Sequence, residues 1–297
     1  MTLEAEIQPQ ATSGKPPLGL WALAFRRFRA NRAAIGGVVM LGLITVAAIF
    51  IPMFWPHEVG AVSFGALAQP PSFADFHWFG TDANGRDLFV RVFFGARVSL
   101  AIGLVATLVS LLIGVIYGAT AGYAGGLVDT VMMRVVDVMY ALPLLFLIIV
   151  LVTIFGSNIF LIFAAIGCVE WLTMARIVRG QTLSIKQREY MESARAIGLS
   201  HGKILRRYVI PNAVGPVIVY STILIPINII IESALSFLGL GVQEPLTSWG
   251  LLVSQGAAQI DAAPWMLIFP GLLLAVTMFC FNFIGDGLRD ALDPKGR

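Results

Sequence analysis

Charged residues are scarce in this chain. They fill 12% of its 297 positions, against ~25% in a typical soluble domain, while 58% of positions are hydrophobic. That balance excludes an ordinary water-soluble globule and points to a bundle of membrane-spanning helices, where counting domains by length does not apply. Cysteine is nearly absent. Cys168 and Cys280 both sit in apolar stretches without metal-type spacing, which excludes a disulfide framework and reads both as packing residues. There is no basic stripe interleaved with aromatics, so nucleic acid is not an expected partner. No Gly-x-x-x-x-Gly-Lys-Ser/Thr occurs, because Gly14-Lys15 and Gly202-Lys203 lack the upstream glycine and the following hydroxyl residue. The chain therefore has no phosphate-binding loop of its own. Its first 32 residues are polar and then basic, without an early apolar core and small-residue cleavage site, so a removable signal peptide is not expected.

The apolar segments also lack ionisable residues. His57, His77 and His201 fall outside them, as do nearly all carboxylates. Glu170 comes closest, near the loop end of the fourth span, and Glu232 stands at the far end of the fifth. Neither a nucleophile with its base nor a metal cluster can be assembled from these segments, so the expectation is a non-enzymatic chain without a metal site. A carrier coupled to a proton or sodium gradient usually keeps an ionisable residue within a span. That ion-coupled secondary transporter is the alternative carried forward.

What the chain has is apolar length. A spanning helix needs about 20 mostly apolar residues. Ala33 to Trp55 is such a run, and Val98 to about Gly122 is a second. The uncharged stretch Val138 to Val169 is too long for one helix, and Gly156-Ser157-Asn158 near its middle reads as a turn. It is then a hairpin of spans three and four. The fifth span runs from about Ala213 to Ile231 and the sixth from Ala262 to Gly285, with a broken apolar loop from Ser233 to Asp261 between them.

Six spans put both termini on one side, and the basic residues choose which. Of the 20 Lys and Arg, only Arg86, Arg91 and Arg97 fall on the opposite face. The rest crowd the N-terminal segment, residue 134, the 176–212 loop and the C-terminus. The positive-inside rule places those four regions in the cytoplasm.

The 176–212 loop contains a polar island, Glu189 to Asn212, between two membrane-length apolar segments. Helix-favouring runs, Lys186 to Ile197 and His201 to Tyr208, flank Gly198, and glycine is the residue that ends a helix in a left-handed turn. Two short helices at an angle form a rigid protrusion, with Pro211-Asn212 starting the next span. Read blandly, the island is a solvated basic connector. Yet Glu192-Ser193-Ala194, three residues, Gly198 and then Ile210-Pro211 resemble the EAA loop of permease subunits in binding-protein-dependent ABC importers. Ser193 and Ile210 stand where that motif has Ala and Leu. Phe79-Gly80-Thr81-Asp82 with Gly85-Arg86-Asp87, then Gly95-Ala96-Arg97-Val98-Ser99-Leu100, are similar to the C-type permeases of dipeptide, oligopeptide and nickel importers. Ser236 to Gly241, Trp249-Gly250 and Asn282 to Pro294 are similar too. The resemblance covers nearly everything from Leu20 onward.

It implies an all-α membrane protein of six transmembrane helices with the type I ABC importer permease fold. Residues 1–32 would be a cytoplasmic N-terminal segment and 33–297 the permease domain, with its core at 98–290 and the coupling loop at 189–212. It implies a multi-pass protein of the bacterial cytoplasmic membrane that binds no cofactor itself. The implied partners are the lipid bilayer, a second homologous permease in a heterodimer, two ABC ATPase subunits that use ATP and Mg, and an extracytoplasmic solute-binding protein. The implied docking residues are Glu189, Glu192, Ser193, Ala194, Gly198, Arg206, Ile210 and Pro211, with Ala194 giving a small contact surface. No substrate-binding residue is named by the motifs.

Two other patterns stand on physics alone. Asn84-Gly85 is a strong turn signal, with Asp82 or Asp87 placed to pair with Arg86 or Arg91; the stretch is either an ordered turn at the membrane edge or part of the outer mouth. Gly114, Gly118, Gly122 and Gly126 recur every four residues, a small-residue stripe that lets another helix approach closely.

Overall fold

The computed structural model describes residues 20–156 and 158–292. Lys15, Ser157, Asp293, Pro294, Lys295 and Arg297, on which parts of the sequence argument rest, lie outside them, as does the rest of residues 1–19. The described chain is built of helices: α1 (Leu20–Ala30), α2 (Arg32–Phe54), α3 (Leu88–Ala124), α4 (Gly126–Tyr140), α5 (Leu144–Phe155) and α6 (Ile159–Lys186) come first. Then follow α7 (Glu189–Ala196), α8 (His201–Ile204), a π-helical turn Leu205–Val209, α9 (Ile210–Phe237), α10 (Trp249–Ala257) and α11 (Trp265–Leu292).

Five of these runs are long and apolar enough to cross a membrane: α2, α3, α6, the continuous stretch His201–Phe237, and α11. A sixth candidate crossing is not a straight helix: α4 and α5 together are apolar enough to cross, but they are bent by 83°. Pro143 caps α5 at this break, and the reason is local: proline has no N–H to donate and crowds the residue before it out of helical geometry. The hairpin turn itself falls where the sequence placed it, with Asn158 capping α6 by accepting from the Phe160 N–H at 2.9 Å. The fifth span departs from expectation at both ends. It reaches Phe237, and at its start the π-helical turn Leu205–Val209 runs directly into α9, with Pro211 in the first turn of α9. No break therefore separates the polar island from the span. Residues 20–30 likewise form a helix packed on α11 with Ala24 buried, so the folded body begins before residue 33.

The most intimate pair in the bundle is α3 against α6. The glycine stripe lies along it. A Cβ on Gly114 would meet the Met174 Cβ at 2.6 Å, one on Gly122 would meet the Arg179 carbonyl at 2.9 Å, and one on Gly118 would collide with the Ala175 carbonyl. Gly126 faces open space and is not part of the contact. The stripe thus packs this chain against itself. Replacing Gly118 with Val should push the helices apart, at ~1–3 kcal/mol or more for an overpacked site. The expected result is loss of stable, monodisperse protein in detergent. Gly42→Ala on the open surface of α2 should change thermal stability by less than about 0.5 kcal/mol.

On the face away from the polar island, Arg97 of α3 repairs α2. Pro52 inside α2 leaves the carbonyl four residues earlier, on Ala48, without its helical donor. Arg97 donates Nε and Nη2 to that oxygen at 3.2 and 3.1 Å, and Nη2 to the Ile49 carbonyl at 3.0 Å. The arginine is therefore a clamp between two spans.

Candidate functional site

The polar island folds as a turned protrusion. Helix α7 buries Met191 and Ala194 and leaves Glu189, Glu192, Ser193 and Arg195 exposed. It ends in a Schellman turn. The Gly198 N–H donates to the Arg195 carbonyl at 2.9 Å and the Leu199 N–H to the Ala194 carbonyl at 3.3 Å, with Gly198 at φ +79°. That left-handed geometry is why the position holds glycine. The chain then reverses into α8 and, through the π-helical turn, runs straight into α9. Ile204 and Val209 point inward, joining Met191 and Ala194 in a cluster with Tyr123 and Met174.

The eight expected docking residues divide accordingly. Glu189, Glu192, Ser193, Gly198, Arg206 and Pro211 are exposed and Ile210 is half-buried. Ala194 departs from expectation: at 2% exposure its methyl is core and offers no outward contact surface. Its small size lets α7 lie close to the spans. Beside these residues is an open groove of about 710 Å³, lined by Ile197, Leu199, Lys203, Arg206, Tyr208 and Pro211 among others. Ile197 is 76% exposed, so the groove joins an apolar knob to three cations, Lys203, Arg206 and Arg207.

A buttress that the motifs do not reveal ties the protrusion to α3. The Tyr123 hydroxyl hydrogen-bonds His201 Nδ1 at 3.0 Å, and Lys186 Nζ donates to the Tyr123 carbonyl at 2.8 Å. Tyr123 and His201 are 78 positions apart, and neither lies in a local pattern. Deeper in, Arg179 of α6 grips Asp129 of α4 in a two-pronged contact at 2.6 and 2.7 Å. The protrusion is therefore tied to α3 and α6 and continuous with α9.

On the opposite face, the Thr81–Asp87 stretch is a buried charge network. Asp82 accepts from the Asn84 and Arg86 N–H groups at 2.8 and 2.9 Å and from Arg86 Nε at 2.7 Å, and it also pairs with Arg91. Arg86 reaches Glu244 at 2.8 Å across the loop before α10. That hydrogen bond holds the Glu244 carboxyl below the usual carboxylate range. Asp87 has a different role. It caps α3 through the Val90 N–H at 2.9 Å and bonds His77 Nδ1 at 2.7 Å. The network is an ordered turn, as the bland reading held, but buried and locked to α10. The remaining signature residues meet nearby: Ser99 accepts from the Trp249 N–H at 3.0 Å, and Trp249 Nε1 donates to the Val92 carbonyl at 3.1 Å. Ser248 and Ser236 both donate to Glu232 Oε1, at 2.7 and 2.6 Å.

His57, His77 and Asp87 bring ligand-type atoms within 4.8 Å of one another, a grouping not visible in the sequence. Both Asp87 oxygens are engaged, however, and the two imidazoles stack at 4.4 Å and 21°. Lone pairs in nearly parallel ring planes do not converge on one ion, so the trio anchors the loop. Cys280 is buried as expected, but Cys168 is exposed, and both are free.

Comparison with known proteins decides the family. Residues 110–297 match the model described as binding-protein-dependent transport system inner membrane component, and residues 19–71 that of the N-terminal TM domain of oligopeptide transport permease C. The oligopeptide transport system permease protein OppC of Haemophilus influenzae is 50% identical over 278 residues, 94% of this chain and 89% of that protein. The chain belongs to this permease family. Dipeptide permease DppC of Bacillus subtilis is 44% identical over 297 residues, covering 99% and 92% of the two chains. Glutathione permease GsiD of Escherichia coli O1:K1 / APEC is 40% identical over 276 residues, 93% and 90%. The fold agrees with a chain of the MetNI methionine ABC transporter at a TM-score of 0.55 and 18% identity, over 69% of this permease and 96% of that chain. The permease is thus a multi-pass membrane subunit of the ABC importer class, and nothing among these relatives favours the ion-coupled alternative.

Proposed function

We propose that this permease forms half of the translocation pathway of an ATP-driven importer for oligopeptides, dipeptides or related small solutes. Both termini and the 189–212 protrusion face the cytoplasm, in keeping with the clustering of Lys and Arg there. The protrusion seats in one of two ABC ATPase subunits, which bind ATP and Mg and carry out the hydrolysis. A second, homologous permease completes the pore, and a solute-binding protein delivers cargo to the far face.

The observation that carries the reading is mechanical. The protrusion is turned by Gly198, braced by Tyr123 and continuous with α9. When ATP closes the ATPase pair, the displacement at Glu192 and Arg206 is passed as a rigid-body movement to α9 and, through the buttress, to α3. The bundle rocks open outward, and hydrolysis resets it. Exposed charge pairs at such a contact are worth only ~0–1 kcal/mol each, so the shape of the protrusion matters more than its arginines. Mild-detergent purification of the tagged permease, with partners identified by mass spectrometry, should recover a second permease and two ATPases. Vesicles of that complex should take up labelled peptide only with ATP and the binding protein. Recovery of the permease alone would overturn the assembly.

A further inference from the structure

Between α2 and α3, on the face away from the polar island, residues 72–77 close a tight hairpin. Ser72 and His77 form an antiparallel bridge, the Ser72 N–H donating to the His77 carbonyl at 2.8 Å. Phe76 holds φ at +59°, a left-handed conformation that is an outlier for a bulky side chain. Such strain persists only where the surroundings over-determine it, and it gathers at working positions. Asparagine or glycine would take this turn more easily. What phenylalanine adds is a ring, and that ring is 51% exposed, while Phe73 across the hairpin is 81% exposed. The support beneath is stiff. His57 Nε2 bonds the Asp75 carbonyl at 3.1 Å, and His77 bonds Asp87, the cap of α3.

These rings continue the outward surface of α2. Val39, Leu43, Val46, Phe50 and Phe54 recur at steps of three and four, so they share one helix face, and all five are exposed. Gly37, Ile44 and Ala48 on the other face are buried, where α2 packs on α3 and α11. The exposed apolar stripe of a spanning helix faces lipid tails. Phe50 and Phe54 stack at 6.2 Å, and Trp55 closes the helix. From Trp55 the rings run on, 4.7 Å to Trp78 and 6.2 Å to Phe76, with Phe73 6.2 Å from Trp78. The hairpin therefore stands at the end of a span, where aromatic rings fall at the level of the headgroups. Residues 56–85 contain no Lys or Arg, so no cation draws this segment to an anionic headgroup.

We propose that the 72–78 hairpin is a membrane anchor, with Phe73, Phe76 and Trp78 inserted among the headgroups and upper acyl chains of the leaflet on this face. Its partner is phospholipid without preference for headgroup charge, and the attraction is burial of apolar rings. Asp75 at the tip stays at the hydrated headgroup level, where the Ser72 hydroxyl donates to its carboxylate at 3.4 Å. Because His77 is bonded to Asp87, the anchor also fixes the level of the buried charge network that begins at Asp82.

The test uses the permease with its co-purified partners in phosphatidylcholine nanodiscs, carrying an environment-sensitive fluorophore on Asp75→Cys in a Cys168→Ser, Cys280→Ala background. Lipid bearing a nitroxide near its headgroup should quench the emission more than aqueous iodide does, and replacing part of the phosphatidylcholine with phosphatidylglycerol should change neither. Phe73→Ser combined with Phe76→Asn, which suits the left-handed turn, should reverse the order of the two quenchers. If that double variant loses its partners, Phe73→Ser alone, at a side chain mostly in the open, should shift quenching in the same direction. Stronger quenching by iodide while both rings are present overturns the proposal. So does lipid quenching that survives loss of the rings. Shielding from iodide that appears only when a solute-binding protein is added would make the hairpin a protein-docking surface and overturn it too, as would shielding from both quenchers, the mark of a site covered by the second permease.

Discussion

Vesicles containing Gly198→Pro should import at less than about a tenth of the normal rate, while the protein still inserts and its spans still pack. The backbone argument is complete at this one residue. Gly198 holds φ at +79° and donates its N–H to the Arg195 carbonyl at 2.9 Å. Proline locks φ near −65° and has no N–H, so neither the Schellman turn nor the angle between α7 and α8 survives. No side-chain clash is involved, because a Cβ at Gly198 meets nothing within 4 Å. Alanine therefore isolates the conformational cost, ~1–2 kcal/mol for a left-handed residue, and should lower import only a few-fold. Asparagine, which tolerates that region, should lower it less than alanine does. The measurement is ATP-driven uptake together with co-purification of the ATPase. If the proline variant imports normally and keeps its ATPase, the protrusion is not the coupling element.

The second large effect belongs to stability. Asp82→Leu should lower the midpoint of thermal unfolding in detergent by on the order of 10 °C, from a loss of ~3–5 kcal/mol when a buried pair loses one partner. Asp82 and Arg91 are each 2% exposed, and the aspartate also accepts from Arg86 Nε and two backbone N–H groups. Its removal leaves Arg91 only long contacts, 3.7 Å to Glu244 and 3.5 Å to Gln255, and frees the turn that holds the α2–α3 connection against α10. Arg86 keeps a partner in Glu244, so the damage centres on Arg91. A double variant, Asp82→Leu with Arg91→Met, removes both charges and should regain a large part of the loss, since the penalty comes from the unpaired charge. An unchanged midpoint in the single variant would show that the network contributes nothing to the fold.

Much of this permease is legible in its order of residues. The apolar runs, the turn at Gly156 and Asn158, the glycine that breaks the polar island, and the crowding of Lys and Arg on one face are local or cumulative signals. Each span must satisfy its backbone internally in lipid, so apolar length alone locates most helices. The bend between α4 and α5 was also written locally, in Pro143, although hydrophobicity masks it because the segments on both sides are apolar.

What the tertiary structure decided is which polar group meets which. Arg97 closes over a carbonyl that Pro52 leaves open, Tyr123 braces His201, and Asp82 selects Arg86 and Arg91 while Asp87 turns to His77. Ala194, read as a contact surface, proved to be core. The spacing of one segment cannot predict such partners. In a bundle the neighbours come from helices far apart in sequence, and the cost of an unpaired charge is set by the packing around it. The sequence by itself located most of the spans and the motif of the protrusion, because these depend on composition and short-range backbone geometry. The three-dimensional arrangement alone decided the pairing of buried charges, because pairing depends on the distances between helices.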